Sequence, residues 1–316
     1  MLKKALSFYT RYFAVWVVLC GAGAYLWPGP VAALSPGMNW FFALTMFGIG
    51  VVLEVEDFRR IASNPVIVFI GSAAQFSIMP LGAYAVSRAF GLEPEFAVGL
   101  VLTGSAPGAM ASNVMSYIAR ADTAYSVSLT AVSTLLCPLL TPGLTYVLAG
   151  SMLKVPFWKM VLDVLCTVIV PLFAGFGVRH YFKEKVERIL PVFPAISVTF
   201  IIFICSLVIA LNRGNLGRVT GVVIAAAVLL NVYGLAGGYG VGRLFRMGSA
   251  RRRTLAIEIG MQNAGLGTKL AIAHFGKEKG PLVAVPAAIF VFVCIITASL
   301  LAALWQRRAS ASAVGE

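Results

Sequence analysis

The sequence predicts an all-α polytopic membrane protein, with ten transmembrane helices in two inverted five-helix repeats. Three observations predict it. Of the 316 residues, 59% are hydrophobic and only 12% charged, with mean hydropathy +0.90; a soluble domain carries about twice that charge. Ten apolar runs are long enough to cross a bilayer core, which takes about 20 helical residues. The fourth run of each five is interrupted by glycines and polar residues, and Asn263 follows Asn113 by 150 residues, about half the chain. Five spans is an odd number, so the second half enters the membrane from the opposite side to the first. The chain 1–316 therefore reads as one membrane domain, with 1–150 as the first inverted repeat and 151–316 as the second.

The ten runs cover roughly 10–27, 36–53, 65–90, 94–119, 123–149, 156–181, 189–211, 218–243, 252–274 and 281–305. Lys3 and Lys4 precede the first, as in a signal peptide, but Phe13–Trp27 has no clean small-residue cleavage site and reads as a helix. Beyond the second, Asp57, Arg59 and Arg60 form a solvated cap, with Glu54 and Glu56 on the same rim. Gln75 lies in the middle of the third, where a lone glutamine usually bonds another helix. The fourth contains Gly104-Ser105-Ala106-Pro107-Gly108. Proline removes a backbone donor and glycine loosens the turn, which gives either a break or a tolerated kink. In the fifth, Ser126, Thr130, Ser133 and Thr134 share one helical face. Such hydroxyls serve as interhelical glue, at about 0.6 kcal/mol each, or as ligands. Asp163 lies near one end of the sixth, within reach of the interface.

The ninth run holds Glu258-Ile259-Gly260-Met261-Gln262-Asn263-Ala264-Gly265-Leu266-Gly267 and then Lys269. A charge at bilayer depth costs roughly 2.5–3.5 kcal/mol on insertion scales and usually faces a cavity or a partner. A packing glycine cluster with a snorkelling lysine is the plainer reading. Glu258, Gln262 and Asn263 together are hard to explain that way.

Of the 25 Lys and Arg, 17 fall on the side of the termini and 7 on the other, with Lys269 inside a span. Both termini are therefore expected in the cytoplasm, and the net charge of +13 needs no nucleic acid. Cys20, Cys137, Cys166, Cys205 and Cys294 all lie in apolar runs, and His180 and His274 are the only histidines. No disulfide framework, zinc motif, Ser-His pair or matched intramembrane aspartates are visible, which argues against an enzyme. Two broken helices at matching positions point instead to a secondary transporter's midplane site. Its donors are hard oxygens with one carboxylate, which suits sodium rather than calcium or a transition metal. The new helix N-termini favour an anionic solute. Sodium would neutralise Glu258 and order the crossover, coupling ion to solute by linkage. Proton coupling through Glu258 and a receptor that moves nothing are the rival readings.

Pro107-Gly108-Ala109-Met110-Ala111-Ser112-Asn113-Val114-Met115, then Asp122 and the run from Ser126 through Leu135, then Glu258 through Leu266, resemble the bile acid:sodium symporter family. The likeness is to a bacterial, apical sodium-dependent bile acid transporter-like member, and it runs through almost the whole chain. It implies a panel of helices one, two, six and seven on a core of helices three, four, five, eight, nine and ten. Discontinuous helices four and nine would cross at mid-membrane. It implies sodium-coupled symport of a small organic anion, bile-acid-like or pantoate-like, by alternating access in a bacterial inner membrane. No cofactor beyond Na+ and no obligate protein partner is implied. Carried over by position, one sodium site would use Ser112, Asn113, Ser126, Thr130 and Glu258. The second would use Gln75, Glu258, Gln262 and the carbonyls of Ile259 and Met261. Ala109, Met110, Asn263, Ala264 and Lys269 would face the solute. Three departures weigh against bile acids: Met110 where a threonine is common, apolar Val293-Cys294-Ile295 where a His-Asn pair occurs, and Lys269 for a small apolar residue. Lys269 either assists the anion, replaces a cation, or snorkels outward.

Overall fold

A computed structural model describes residues 6, 8–10, 12–187 and 189–314. Among them the chain is helical, with no strand. In order, α1 is Phe13–Leu26, α2 Pro28–Ala33, α3 Met38–Val52, α4 Val55–Ser63, α5 Pro65–Ala89, α6 Pro94–Gly104, α7 Ala111–Ile118 and α8 Thr123–Ala149. Then follow α9 Phe157–Val164, α10 Val170–Tyr181, α11 Lys183–Glu187, α12 Phe193–Leu211, α13 Gly221–Leu244, α14 Ser249–Gly260, α15 Ala264–His274 and α16 Gly276–Val314. Six helical stretches are long and apolar enough to cross a membrane, among them Pro65–Ala89, Thr123–Ala149 and Gly221–Leu244. Val15–Leu26, Pro94–Gly104 and Ala195–Leu211 are apolar but shorter. This is a multi-pass membrane architecture.

The breaks fall where the backbone loses partners. Pro80, Pro138, Pro142, Pro281 and Pro286 all sit inside continuous helices. Pro107, flanked by Gly104 and Gly108, does not: α6 stops at Gly104 and α7 starts at Ala111. The sixth run was expected to be one uninterrupted helix. It contains a π-turn, Leu165–Ile169, where the Val170 amide bonds Leu165 O, five residues back. Pro171 has no N–H to offer Thr167 O, so the ladder already lacks a bond there.

Helix α1 packs on α12, and α3 packs on α10 and α12. Helix α5 packs on α6, α8 and α13, while α14 lies on α13 and α15 on α16. Glycines permit the closest of these contacts. A Cβ on Gly50 would overlap Leu172 O, and one on Gly175 would overlap Phe47 O, so α3 and α10 meet backbone to backbone. Met79, Leu100, Leu230, Leu255 and Phe290 fill the main core.

Glu54, Glu56, Arg59 and Arg60 are exposed, as expected of a rim, and one of them does more. Glu54 begins a capping box with Asp57 on α4, and it also accepts from Arg179 Nη2 at 2.7 Å. Arg179 is buried on α10, so Glu54 is not simply a solvated rim charge. It compensates a desolvated guanidinium.

Candidate functional site

The two helix breaks meet. Gly108 and Gln262 form an isolated antiparallel bridge: Ala109 N donates to Met261 O at 2.9 Å, and Asn263 N donates to Pro107 O at 2.8 Å. Most other backbone groups freed by the breaks also have partners, as desolvation demands. Gly108 N donates to Ser133 Oγ at 3.2 Å, and Gly260 O accepts from Asn231 Nδ2 at 2.8 Å. Ser105 O accepts from Thr141 Oγ1 at 2.7 Å. Asn263 caps α15, its Oδ1 accepting from Leu266 N at 3.1 Å.

Glu258 lies one turn before the second break and is 2% exposed. Three hydroxyls converge on its carboxylate. Ser126 donates at 2.9 Å, and Ser112 and Thr130 form still closer bonds. Ser112 comes from the start of α7, Ser126 and Thr130 from one face of α8. Glycine at 108 lets the Glu258 carboxylate sit against this turn, since a Cβ at that position would run into it. Asn113 completes the group: Thr130 Oγ1 lies 3.4 Å from its Oδ1 and 3.5 Å from Ser112 Oγ. Those separations are long for hydrogen bonds. The three hydroxyl–carboxylate contacts, by contrast, are hydrogen bonds. Among the described residues, no Lys, Arg or His pairs with Glu258.

Gln75, Gln262 and the α14 carbonyls also come together. Gln75 Nε2 donates to Gln262 Oε1 at 2.7 Å and to Ala106 O at 3.3 Å. Gln262 Nε2 donates to Ile259 O at 2.8 Å. Gln75 Oε1 is buried without a hydrogen-bond partner, as is Ser105 Oγ on the first break. Here Met261 O is held by Ala109, and Ile259 O by Gln262.

Ala109, Met110 and Asn263 are half-buried at the crossover, and Ala264 is buried. Lys269 is not with them. It lies six residues beyond Asn263, about 9 Å along α15, and is wholly buried. Its ammonium pairs with Asp163 and donates to Thr167 Oγ1 at 3.0 Å. The outward-snorkelling reading is therefore wrong, and Asp163 does not merely reach the interface. Its second oxygen lies 2.6 Å from His274 Nε2.

A cleft lined by Ile49, Leu53 and Leu172 on one side and Met110, Asn113, Thr130 and Thr134 on the other reaches the Glu258 cluster. It offers about 10 Å³, room for one water at most. Of the residues that matter, Asn231 and Thr297 escape sequence reading. Thr297 Oγ1 donates to Asn231 Oδ1 at 2.7 Å, which orients the amide on Gly260 O. The only signal was a lone asparagine in an apolar span. Ser133 reads from sequence as either glue or ligand, and the bond its Oγ accepts from Gly108 N ties helix to break.

Comparison with known proteins follows the same lines. A family model described as the Sodium Bile acid symporter family matches residues 40–218. An uncharacterized sodium-dependent transporter of Bacillus subtilis is 35% identical over 315 residues, covering 100% of this chain and 97% of the relative. A probable chloroplastic sodium/metabolite cotransporter of Arabidopsis thaliana is 37% identical over 300 residues, 94% of this chain and 74% of the relative. The human sodium/bile acid cotransporter 4 is 28% identical over 255 residues, 78% and 58% respectively.

Proposed function

This chain belongs to the sodium bile acid symporter family, a family of transporters and not of enzymes, and from that premise we propose that it moves a small organic anion across the membrane together with sodium. One observation carries the reading most directly: a buried carboxylate at a helix crossover, bonded by three hydroxyls and, among the described residues, by no basic side chain. A negative site of hard oxygens at membrane depth is expected to take a hard cation.

On this reading the chain crosses the membrane ten times in two inverted repeats, with α6–α7 as the fourth span and α14–α15 as the ninth. Both termini lie in the cytoplasm of a bacterial inner membrane. The first sodium site comprises Glu258, Ser112, Asn113, Ser126 and Thr130. The second comprises Gln75, Gln262, Glu258 and the Ile259 and Met261 carbonyls. For the carbonyls to ligate, the bonds now made to them must be exchanged, and the unpartnered Gln75 Oε1 is the first oxygen available. Sodium fixes the two breaks relative to each other, and the anion binds the fixed form beside Ala109, Met110, Asn263 and Ala264. Helices α1, α3, α9–α10 and α12 act as the panel that moves against the rest. The tight cleft between α3 and α7–α8 is where that movement opens a path.

The solute is a carboxylate smaller than a bile acid, because Val293, Cys294 and Ile295 give the last span no polar face at the matching position. The test uses purified protein in liposomes and a panel of radiolabelled small carboxylates. Accumulation is expected only with an inward sodium gradient. Accumulation driven by a proton gradient without sodium would replace this reading with a proton-coupled one. Sodium-dependent binding without accumulation would replace it with a receptor.

A further inference from the structure

A second buried charge lies outside the crossover and has no part in the proposed function. The Lys269 ammonium, 0% exposed, is surrounded as a bound cation would be. It has a carboxylate oxygen of Asp163, the hydroxyl oxygen of Thr167 at 3.0 Å, and the Phe42 ring with its centroid at 6.0 Å. Carboxylate, hydroxyl and aromatic face are the groups that hold small monovalent cations. The other Asp163 oxygen is taken by His274. Cys166 is the remaining titratable group near Lys269. The surroundings are built rather than incidental. Thr167 lies in the π-turn, a feature frequent at functional sites, and its own hydroxyl proton goes to Asp163 O at 2.7 Å, leaving its lone pairs toward Lys269.

Plain stability does not account for this cluster. A buried ion pair is often no better than a well-packed apolar pair of the same volume. Asp163 and His274 retain slight exposure, with side chains 14% and 12% accessible, so the cluster lies near the edge of the packed interior.

We infer that Asp163, Thr167 and the Phe42 ring form a cation site outside the crossover, and that its resident cation is the tethered ammonium of Lys269. The site ties the sixth span to the outer half of the ninth. It takes a free monovalent cation once the lysine is removed. The inference rests on the membrane reading above but not on sodium coupling.

The test is a cation-rescue experiment on the full-length Lys269→Ala protein, read as the melting midpoint in sodium-free buffer. n-Propylammonium chloride, which replaces the missing stem and head, is expected to raise the midpoint saturably, by about 2–4 °C at tenfold saturation. Methylammonium should act more weakly. Tetramethylammonium, which donates no hydrogen bond, should not act at all. The wild type and the Lys269→Ala, Asp163→Asn double variant should be indifferent to all three. No response in Lys269→Ala, or an equal response in the double variant, overturns the inference. If Lys269→Ala cannot be purified folded, recovery of monodisperse protein expressed and extracted with n-propylammonium is measured instead. A rise of about threefold or more over tetramethylammonium supports the site, and no rise overturns it. Repeating the melt in a Glu258→Gln background separates the two sites. A rescue that persists there belongs to the Lys269 site, whatever becomes of sodium-coupled uptake.

Discussion

The two halves of one broken span hold opposite charges in opposite ways. Glu258, before the break, is compensated by neutral hydroxyls alone. Lys269, after it, is compensated by a full counter-charge, a hydroxyl and a ring. Neutral donors solvate a carboxylate but leave its charge uncancelled, so the first site favours a mobile cation. A carboxylate beside an ammonium cancels, so the second has no need of one. Burial is similar in both, and the partners decide which site exchanges its ion. The same comparison explains why a carboxylate could be tolerated here at all: Ser112, Ser126 and Thr130 supply donors that reduce its desolvation cost.

The largest way to break this contrast is to remove the uncancelled charge. Glu258→Gln keeps the shape and most hydrogen-bonding capacity, so the fold should survive. Sodium-driven uptake in liposomes is expected to fall by about 100-fold, the loss of roughly 2.7 kcal/mol of ion binding. Uptake within threefold of wild type would remove Glu258 from the ion site. Gly108→Ala comes next. A Cβ there meets the carboxylate directly, so the side chain must withdraw from Ser112 and Thr130. Sodium-dependent uptake is expected to drop by about tenfold or more, through a raised sodium requirement. An unchanged sodium half-saturation would mean that the carboxylate does not need to sit against this turn.

Removing single hydroxyls sharpens the comparison. Ser112→Ala or Thr130→Ala leaves the charge in place and takes away one oxygen ligand of the ion, worth about 1.5 kcal/mol, as for a hydrogen bond to a charged group. Sodium half-saturation should rise about tenfold for each, while Thr130→Ser should stay close to wild type. If neither alanine changes the sodium requirement, the hydroxyls serve only packing.

Much of this was legible in the sequence, and the reason is that membranes punish ambiguity. A carboxylate and two carboxamides in an apolar run have few bland explanations, so Glu258, Gln262 and Asn263 mark the break in the ninth span. The spacing of Ser126 and Thr130 declared the helical face that meets it. The fifth apolar run coincides with Thr123–Ala149, because nothing within it frees enough backbone to end the helix. What sequence could not give was pairing across distance. Lys269 and Asp163 are 106 residues apart, and each has an acceptable single-helix reading. Only packing of α9 on α15 brings them together. The π-turn was hidden for a different reason. Pro171 was one of several prolines in helices, and which one loosens its ladder depends on what its neighbours can satisfy.

The smallest expected effect concerns the scaffold behind the ion site. Asn231 donates to Gly260 O, the last carbonyl of α14 before the break, and is itself oriented by Thr297. Asn231→Leu fills the volume but leaves Gly260 O buried without a donor, at a cost of about 1–3 kcal/mol. A carbonyl so freed has two outlets. It can destabilise the break, or it can turn toward the crossover as one more oxygen for the ion. The first lowers the melting midpoint with sodium half-saturation unchanged. The second lowers half-saturation two- to threefold and recovers part of the midpoint when sodium is added. Asn231 is wholly buried on α13, and Gly260 Cα lies against that same helix. The first outcome is therefore expected, with Thr297→Val giving a milder form of it. Sodium-dependent recovery of the Asn231→Leu midpoint would instead mean that α14 can rotate its last carbonyl inward. The crossover would then be softer than its dense hydrogen bonding implies.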